Sequence, residues 1–310
     1  MNAMSKVPDF LIIGAPKCGT TSIYHYLQQH PQVFMCPVKE PHFFLFDGPE
    51  RSPFSDPADA LRAREMIQSW KRYQALFSGK PPGKVAGEAS VRYLYSQQAC
   101  SAIRNRIPDC KLIVVLRQPA DRAFSAYQRD RLNRAAKYAS FQEALAQGLE
   151  REKAGCFVGI YEKLGFYTRH LKPYLAQFPA DQVKVLLHDD LVADSASLMA
   201  ELYRYLGIDD TFQTDLSKRY NETGGVITNP LYRWLWDGTR ELRSHILPYV
   251  PSGLRGRMFN RVAELRKFKP VDKPGFDPTE RAQLTEIYRE DILELQDLIQ
   301  RDLTHWLEPN

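Results

Sequence analysis

The sequence predicts an α/β fold: a mainly parallel β-sheet flanked by helices and carrying helical insertions. Three observations predict it. The apolar runs Phe10–Ile13 and Lys111–Leu116 lack alternation, as strands buried on both faces do. Strand candidates alternate with helix candidates along the chain, the order that builds a parallel, doubly covered sheet. The chain's 310 residues, 44% hydrophobic, suffice for one large α/β domain or a domain with insertions.

The elements follow in order. A first helix spans Thr20–Gln29, with Ile23 and Leu27 on its apolar face. It stops at His30-Pro31 because a residue before proline avoids the α region. Asp47–Pro57, rich in Pro, Ser and Asp, opens a mobile insertion around 47–80, with a helix near Ala58–Phe77. Lys84–Glu88 reads as a short strand, Ser96–Arg106 as a helix, and Arg117 stands where the Lys111–Leu116 strand ends. Phe141–Glu150 and Tyr161–Phe178 read as helices, the second leading to the strand Val183–Leu187. The last helix has Asp277 as N-cap, Pro278 at N1 and Glu280 at N3. Leu284, Ile287, Ile292, Leu295, Ile299 and Trp306 form its apolar stripe.

Two stretches carry chemistry. In DFLIIGAPKCGTTS (Asp9–Ser22) a strand enters a Gly-bounded loop and then a helix opening Thr-Thr-Ser, a P-loop-type arrangement. Inward loop N–H groups, the unpaired N–H groups of the first turn and the helix dipole favour an anion there. Ala15, Pro16, Lys17, Cys18, Gly19, Thr20, Thr21 and Ser22 are therefore candidate phosphate-binding residues. A Walker A loop would place Lys directly after its second Gly to serve β/γ-phosphates and Mg²⁺. Here Lys17 lies inside the loop and Gly19 is followed by Thr20, which suits a single 5′-phosphate group with one cation at its bridging oxygen and no metal. The second stretch is KLIVVLRQPADRAFSAY (Lys111–Tyr127), where an ATPase would carry an Asp for Mg²⁺. Arg117 stands there instead, and with Ser125 it suits a second, isolated phosphate.

IIGAPKCGTTSI (Ile12–Ile23) resembles the 5′-phosphosulfate loop of the sulfotransferases, and VVLRQPADRAFSAY (Val114–Tyr127) resembles their 3′-phosphate motif. VKEPHFF (Val38–Phe44) is similar to a segment of the heparan sulfate N- and 3-O-sulfotransferases whose Glu is the catalytic base. The likeness continues through GEASVRYLY (Gly87–Tyr95), the GFY at Gly165 and FPADQVKVLLHDDL (Phe178–Leu191), and so covers nearly the whole chain. It implies one sulfotransferase domain over 1–310. It also implies 3′-phosphoadenosine-5′-phosphosulfate (PAPS) as donor and adenosine 3′,5′-bisphosphate (PAP) as product, with no metal. The acceptor is a hydroxyl or amine of a glycan or small-molecule metabolite. By the resemblance Glu40 is the general base, Lys17 stabilises the leaving phosphate oxygen, and Arg117 with Ser125 holds the 3′-phosphate. Gly224 and Gly225 lie where relatives close a Gly-containing loop (Tyr220–Asn229) over the nucleotide.

Blander readings stand beside these. Thr20, Thr21 and Ser22 also cap a helix, Glu40 also pairs with Lys39, and His42 is either a structural histidine or a group that orients the acceptor or the base. Arg122 either assists at the phosphate or pairs with Asp121. The heparan-type enzymes read E-K-[ST] where this chain has Glu88-Ala89-Ser90, so their second active-site lysine is missing. The basic stretch around 230–270, with Trp234 and Trp236, is a solvated charged helical face, or else a lid or acidic-partner surface that contacts the acceptor or closes over the donor. A nucleotide kinase and a non-catalytic adenosine-bisphosphate-binding module are the alternatives.

The formal charge of +5 is too small to argue for nucleic acid. Five scattered cysteines without metal-ligand spacing argue against a disulfide framework or zinc site and for a reducing cytoplasm. No apolar run approaches the ~20 residues of an integral membrane segment. Oligomeric state is not legible.

Overall fold

A computed structural model describes residues 7–47, 66–132, 138–154, 156, 159–217, 225–227, 268–270 and 275–308. The chain divides into two compact units, one of residues 1–127, 138–221 and 276–310, the other of 128–137 and 222–275.

The first unit is built on a five-stranded parallel sheet. Its elements run β1 (Phe10–Gly14), α1 (Thr20–Gln29), β2 (Val33–Met35), α2 (Trp70–Ala75), β3 (Val85–Ala89), α3 (Gln97–Arg106), β4 (Lys111–Leu116) and α4 (Pro119–Leu132). They continue with α5 (Phe141–Ala146), α6 (Gly148–Lys153), α7 (Tyr167–Gln177), β5 (Val183–Leu187), α8 (His188–Ala193) and α9 (Ser195–Leu206). The strand order is β2-β3-β1-β4-β5 with every pair parallel. The two apolar runs of the sequence, β1 and β4, are adjacent central strands. Both are buried along nearly their whole length, which is why they show no alternation. The second unit contains β6 (Gly225–Ile227) paired antiparallel with β7 (Phe268–Pro270).

Closing the first unit, α10 (Pro278–Ile299) begins as its sequence dictates. The Asp277 carboxylate accepts from the N–H groups of Thr279 and Glu280 at 2.9 and 3.0 Å, and Pro278 fills the first turn. Its stripe differs from expectation. Tyr288, buried, takes the place given to Ile287, which is 52% exposed, and Gln300 ends the helix at φ 52. Trp306 lies beyond that end in a separate turn, where its indole N–H donates to Asp189 at 2.8 Å.

Other boundaries shift for local reasons. The predicted helix over Tyr161–Phe178 starts only at Tyr167, because Gly165 sits against the Tyr288 ring and Phe166 is non-helical. The Tyr288 hydroxyl fixes that turn by donating to the Glu162 carbonyl at 2.7 Å. Phe141–Glu150 is two short helices meeting at Gln147. Of the helix predicted near Ala58–Phe77, Trp70–Ala75 is helical and Ser69 is extended, while 48–65 lies outside the described residues. Gly225–Ile227 is a strand where a loop was expected. Gly224 and most of the 230–270 stretch lie outside the described residues.

Candidate active site

The candidate residues of the 15–22, 39–42 and 117–125 segments gather at the carboxyl edge of the sheet, where a parallel arrangement leaves a crevice between its loops. The loop after β1 is pinned at its start by Ala15, whose N–H donates to the Val115 carbonyl at 2.9 Å. A Cβ on Gly19 would lie 2.6 Å from Leu191 Cδ2, and its φ of 91° is one that L side chains rarely adopt. Gly19 is the N-cap of α1 and offers no side-chain acceptor, and no acidic residue stands in the first turn. The positive end of the α1 dipole thus favours an anion at that turn. Cys18 is buried and its thiol is pushed up to about 11 by burial, against the pull of Arg122, Arg117 and Lys17. It stays protonated.

Across the end of β3 lies the segment 39–42. The Glu40 N–H donates to the Ala89 carbonyl at 2.9 Å, and the His42 N–H donates to Ser90 Oγ at 3.0 Å. Both residues have left-handed backbones, Glu40 at φ 59 and His42 at φ 55, as does Lys17 at φ 73. Among the described residues the only other non-glycine in that region is Gln300, at a helix end. Such conformations cost about 1–3 kcal/mol each and persist where the surroundings over-determine them, commonly at functional sites. All three residues nominated for catalysis carry this strain.

The side chains then interlock. His42 Nε2 lies 3.2 Å from Glu40 Oε2, and Lys39 Nζ lies 3.3 Å from Glu40 Oε1 and 2.8 Å from Thr21 Oγ1. Burial disfavours the Glu40 carboxylate, but His42 and Lys39 outweigh it and bring its pKa down to about 2. Burial lowers the His42 pKa despite Glu40's opposing pull, so the ring is neutral. A carboxylate only accepts, hence Nε2 carries the ring proton and donates it. His42 therefore orients Glu40 and is not itself a base through Nε2.

On the other side of β1, Arg117 follows β4 directly, and its carbonyl accepts from the Tyr167 hydroxyl at 2.8 Å. The α4 N-terminus is held by Gln118, whose Oε1 accepts the Asp121 N–H at 2.8 Å, and Ser125 lies half-buried on the second turn. Arg122 is fully buried and donates to the Tyr161 carbonyl. It does not pair with Asp121, which binds Arg281 at 2.9 Å. Gly225 lies on β6 in the second unit.

Among the described residues, the Gly-bounded loop after β1, a strand-end arginine and a strained, ionised glutamate thus lie on one sheet edge. The sulfotransferase domain family matches residues 7–296. The chain belongs to that family. It is 29% identical over 222 residues to the Mus musculus heparan sulfate glucosamine 3-O-sulfotransferase 3B1, covering 71% of this chain and 51% of that protein. It is 28% identical over 215 residues to the Homo sapiens bifunctional heparan sulfate N-deacetylase/N-sulfotransferase 3, covering 66% of this chain and 22% of that protein. The chain therefore spans about half the length, or less, of these two curated relatives. A sulfotransferase from Alicyclobacillus acidocaldarius superposes with a TM-score of 0.74 at 30% identity, covering 97% of this chain and 99% of that one.

Two residues of this sulfotransferase-family site escaped sequence reasoning. Lys39 reads there as a mere neighbour of Glu40, whereas its ammonium joins Glu40 to Thr21 on the first turn of α1. Glu88, on β3, is fully buried and accepts from the hydroxyls of Tyr73 at 2.9 Å and Tyr93 at 3.3 Å. Its pKa is pushed up to about 7 by burial, against hydrogen bonds from Ser90, Tyr73 and Tyr93 and with a push from the Glu40 charge. An acid inside a run otherwise of Val, Ala and Gly was the available signal.

Proposed function

We propose that this protein transfers a sulfuryl group in line from PAPS to a hydroxyl or amine of a glycan or small-molecule metabolite. The observation that carries the reading is the ionised Glu40 carboxylate, oriented by His42 and tethered through Lys39 to Thr21 of the phosphate loop. A carboxylate held charged and aimed at the end of an anion site is arranged to take a proton as a nucleophile attacks what that site holds.

The roles follow from position. Residues 15–22 hold the 5′-phosphate through first-turn N–H groups and the helix dipole, and Lys17 faces the bridging oxygen where charge develops on bond cleavage. Arg117 and Ser125 take the 3′-phosphate. Glu40 accepts the acceptor's proton. All of this lies within a single sulfotransferase domain acting in the cytoplasm without a metal. Heparan sulfate appears in the names of two relatives and makes glucosaminyl glycans the first acceptors to try. The test is ³⁵S transfer from labelled PAPS, without divalent metal, to a panel of unsulfated glucosaminyl glycans and phenolic or hydroxylated metabolites. Label on any acceptor, with stoichiometric PAP, is expected. Donor binding without transfer to any member of a broad panel, and no acceptor-stimulated PAP release, would contradict it.

A further inference from the structure

Lys39 lies between the two halves of the reaction. Its Nζ is 2.8 Å from Thr21 Oγ1 on the first turn of α1, where the 5′ end of a nucleotide would be held, and 3.3 Å from Glu40 Oε1. An ammonium has three N–H donors, and these contacts use two. The Lys39 side chain is 27% exposed and the Glu40 side chain 37%, so both are open to a ligand from the cleft. A group passing from the phosphate loop to an acceptor deprotonated by Glu40 must cross the gap that Lys39 spans.

Resting on the sulfuryl-transfer reading above, we propose that Lys39 is the second cation of the transfer site: its third N–H supports the sulfuryl oxygens while its other two hold Glu40 against the donor loop. In the step it serves, the acceptor O–H or N–H proton passes to the Glu40 carboxylate and the acceptor lone pair forms the new bond to sulfur. The bond from sulfur to the bridging oxygen breaks, leaving its electron pair on the 5′-phosphate beside Lys17. Lys39 stays protonated throughout. Lys17 thus meets charge on the leaving oxygen, and Lys39 meets charge on the moving group, both in fixed positions.

An ordinary exposed ion pair would leave the choice between the two nucleotides unchanged. The distinguishing property is discrimination between PAPS, which carries the sulfuryl group, and PAP, which does not. Calorimetric titrations of both nucleotides into the full chain without divalent metal, for wild type, Lys39→Met, Lys39→Gln and Lys39→Arg, read this directly. The ratio of PAPS to PAP dissociation constants is expected to rise at least fivefold in Lys39→Met and Lys39→Gln, with PAP affinity changed less than twofold. Lys39→Arg should restore most of the discrimination. A second readout is carboxyl NMR of [¹³C]Glu-labelled protein, with Glu40→Gln assigning the signal. The groups facing Glu40 are Lys39, His42 and, through β3, Glu88, and only the first changes. The Glu40 midpoint should rise by a pH unit or more in Lys39→Met. An unmoved PAPS-to-PAP ratio overturns the proposal whatever the spectra show. A wild type that binds neither nucleotide sinks the donor reading itself, and the proposal with it; a wild type that binds both with that ratio unmoved sinks only Lys39.

Discussion

Replacing Glu88 by Gln tests whether a buried acid beside the site is protonated at neutral pH. The carboxyl is fully buried, and its pKa rises from 4.5 to about 7 because burial penalises its charge more than the nearby hydroxyls relieve it. The sign follows from which state holds the proton. Below about 4.5 Glu88 is protonated folded and unfolded, and its contribution to stability is fully present. Between about 4.5 and 7 the unfolded chain releases the proton while the folded one keeps it, so stability falls as pH rises. Above about 7 both states are ionised and the loss is complete. At about 1.4 kcal/mol per pH unit the loss comes to about 3 kcal/mol. The amide of Glu88→Gln cannot ionise, and both Tyr73 and Tyr93 remain within hydrogen-bond reach of it. Relative to wild type, the variant should therefore gain up to about 3 kcal/mol on going from pH 4.5 to pH 8, read by urea unfolding of both proteins at each pH. Contributions common to both cancel in the difference. Parallel stability curves for the two proteins across that range would refute the buried, protonated acid.

Two other substitutions probe the phosphate sites. Gly19→Ala should destabilise by about 2–4 kcal/mol in thermal or urea unfolding, combining left-handed backbone strain with overlap against Leu191, and should weaken PAP binding as the loop moves; unchanged stability would mean the loop yields freely. Arg117→Ala should weaken PAP by about 1.5–3 kcal/mol, or roughly 10–150-fold, by calorimetry, and leave adenosine 5′-phosphate nearly unaffected. Equal losses on both nucleotides would remove Arg117 from the 3′-phosphate.

What the sequence made legible was set by local rules. β1 and β4 show as unbroken apolar runs because both faces are covered, and α1 and α10 show through Pro31, Asp277 and Pro278, whose effects act within a turn. The three strained residues Lys17, Glu40 and His42 were nominated from motif and resemblance, though no propensity betrays a positive φ at Lys or Glu. The misplaced boundaries have tertiary causes. Helix α7 starts late because Tyr288, more than a hundred residues away, packs on Gly165, and Trp306 left the α10 stripe because Gln300 turns the chain toward Asp189. Of the two readings of Arg122, the pairing with its sequence neighbour Asp121 fails: Arg122 is buried against Tyr161, and Asp121 binds Arg281. The tie from Lys39 to Thr21 joins positions eighteen apart on separate elements, a relation that spacing does not carry.

The most direct test of Glu40 as the base is Glu40→Gln, measured against whichever acceptor takes label from PAPS. The amide keeps the size of the side chain and its contact with Lys39 but loses the basic oxygen. With Glu40 as the proton acceptor, kcat should fall roughly 10²–10⁴-fold while PAP affinity and the thermal midpoint stay close to wild type. Turnover within a few-fold of wild type would contradict it, since no proton acceptor at Glu40 would then be needed.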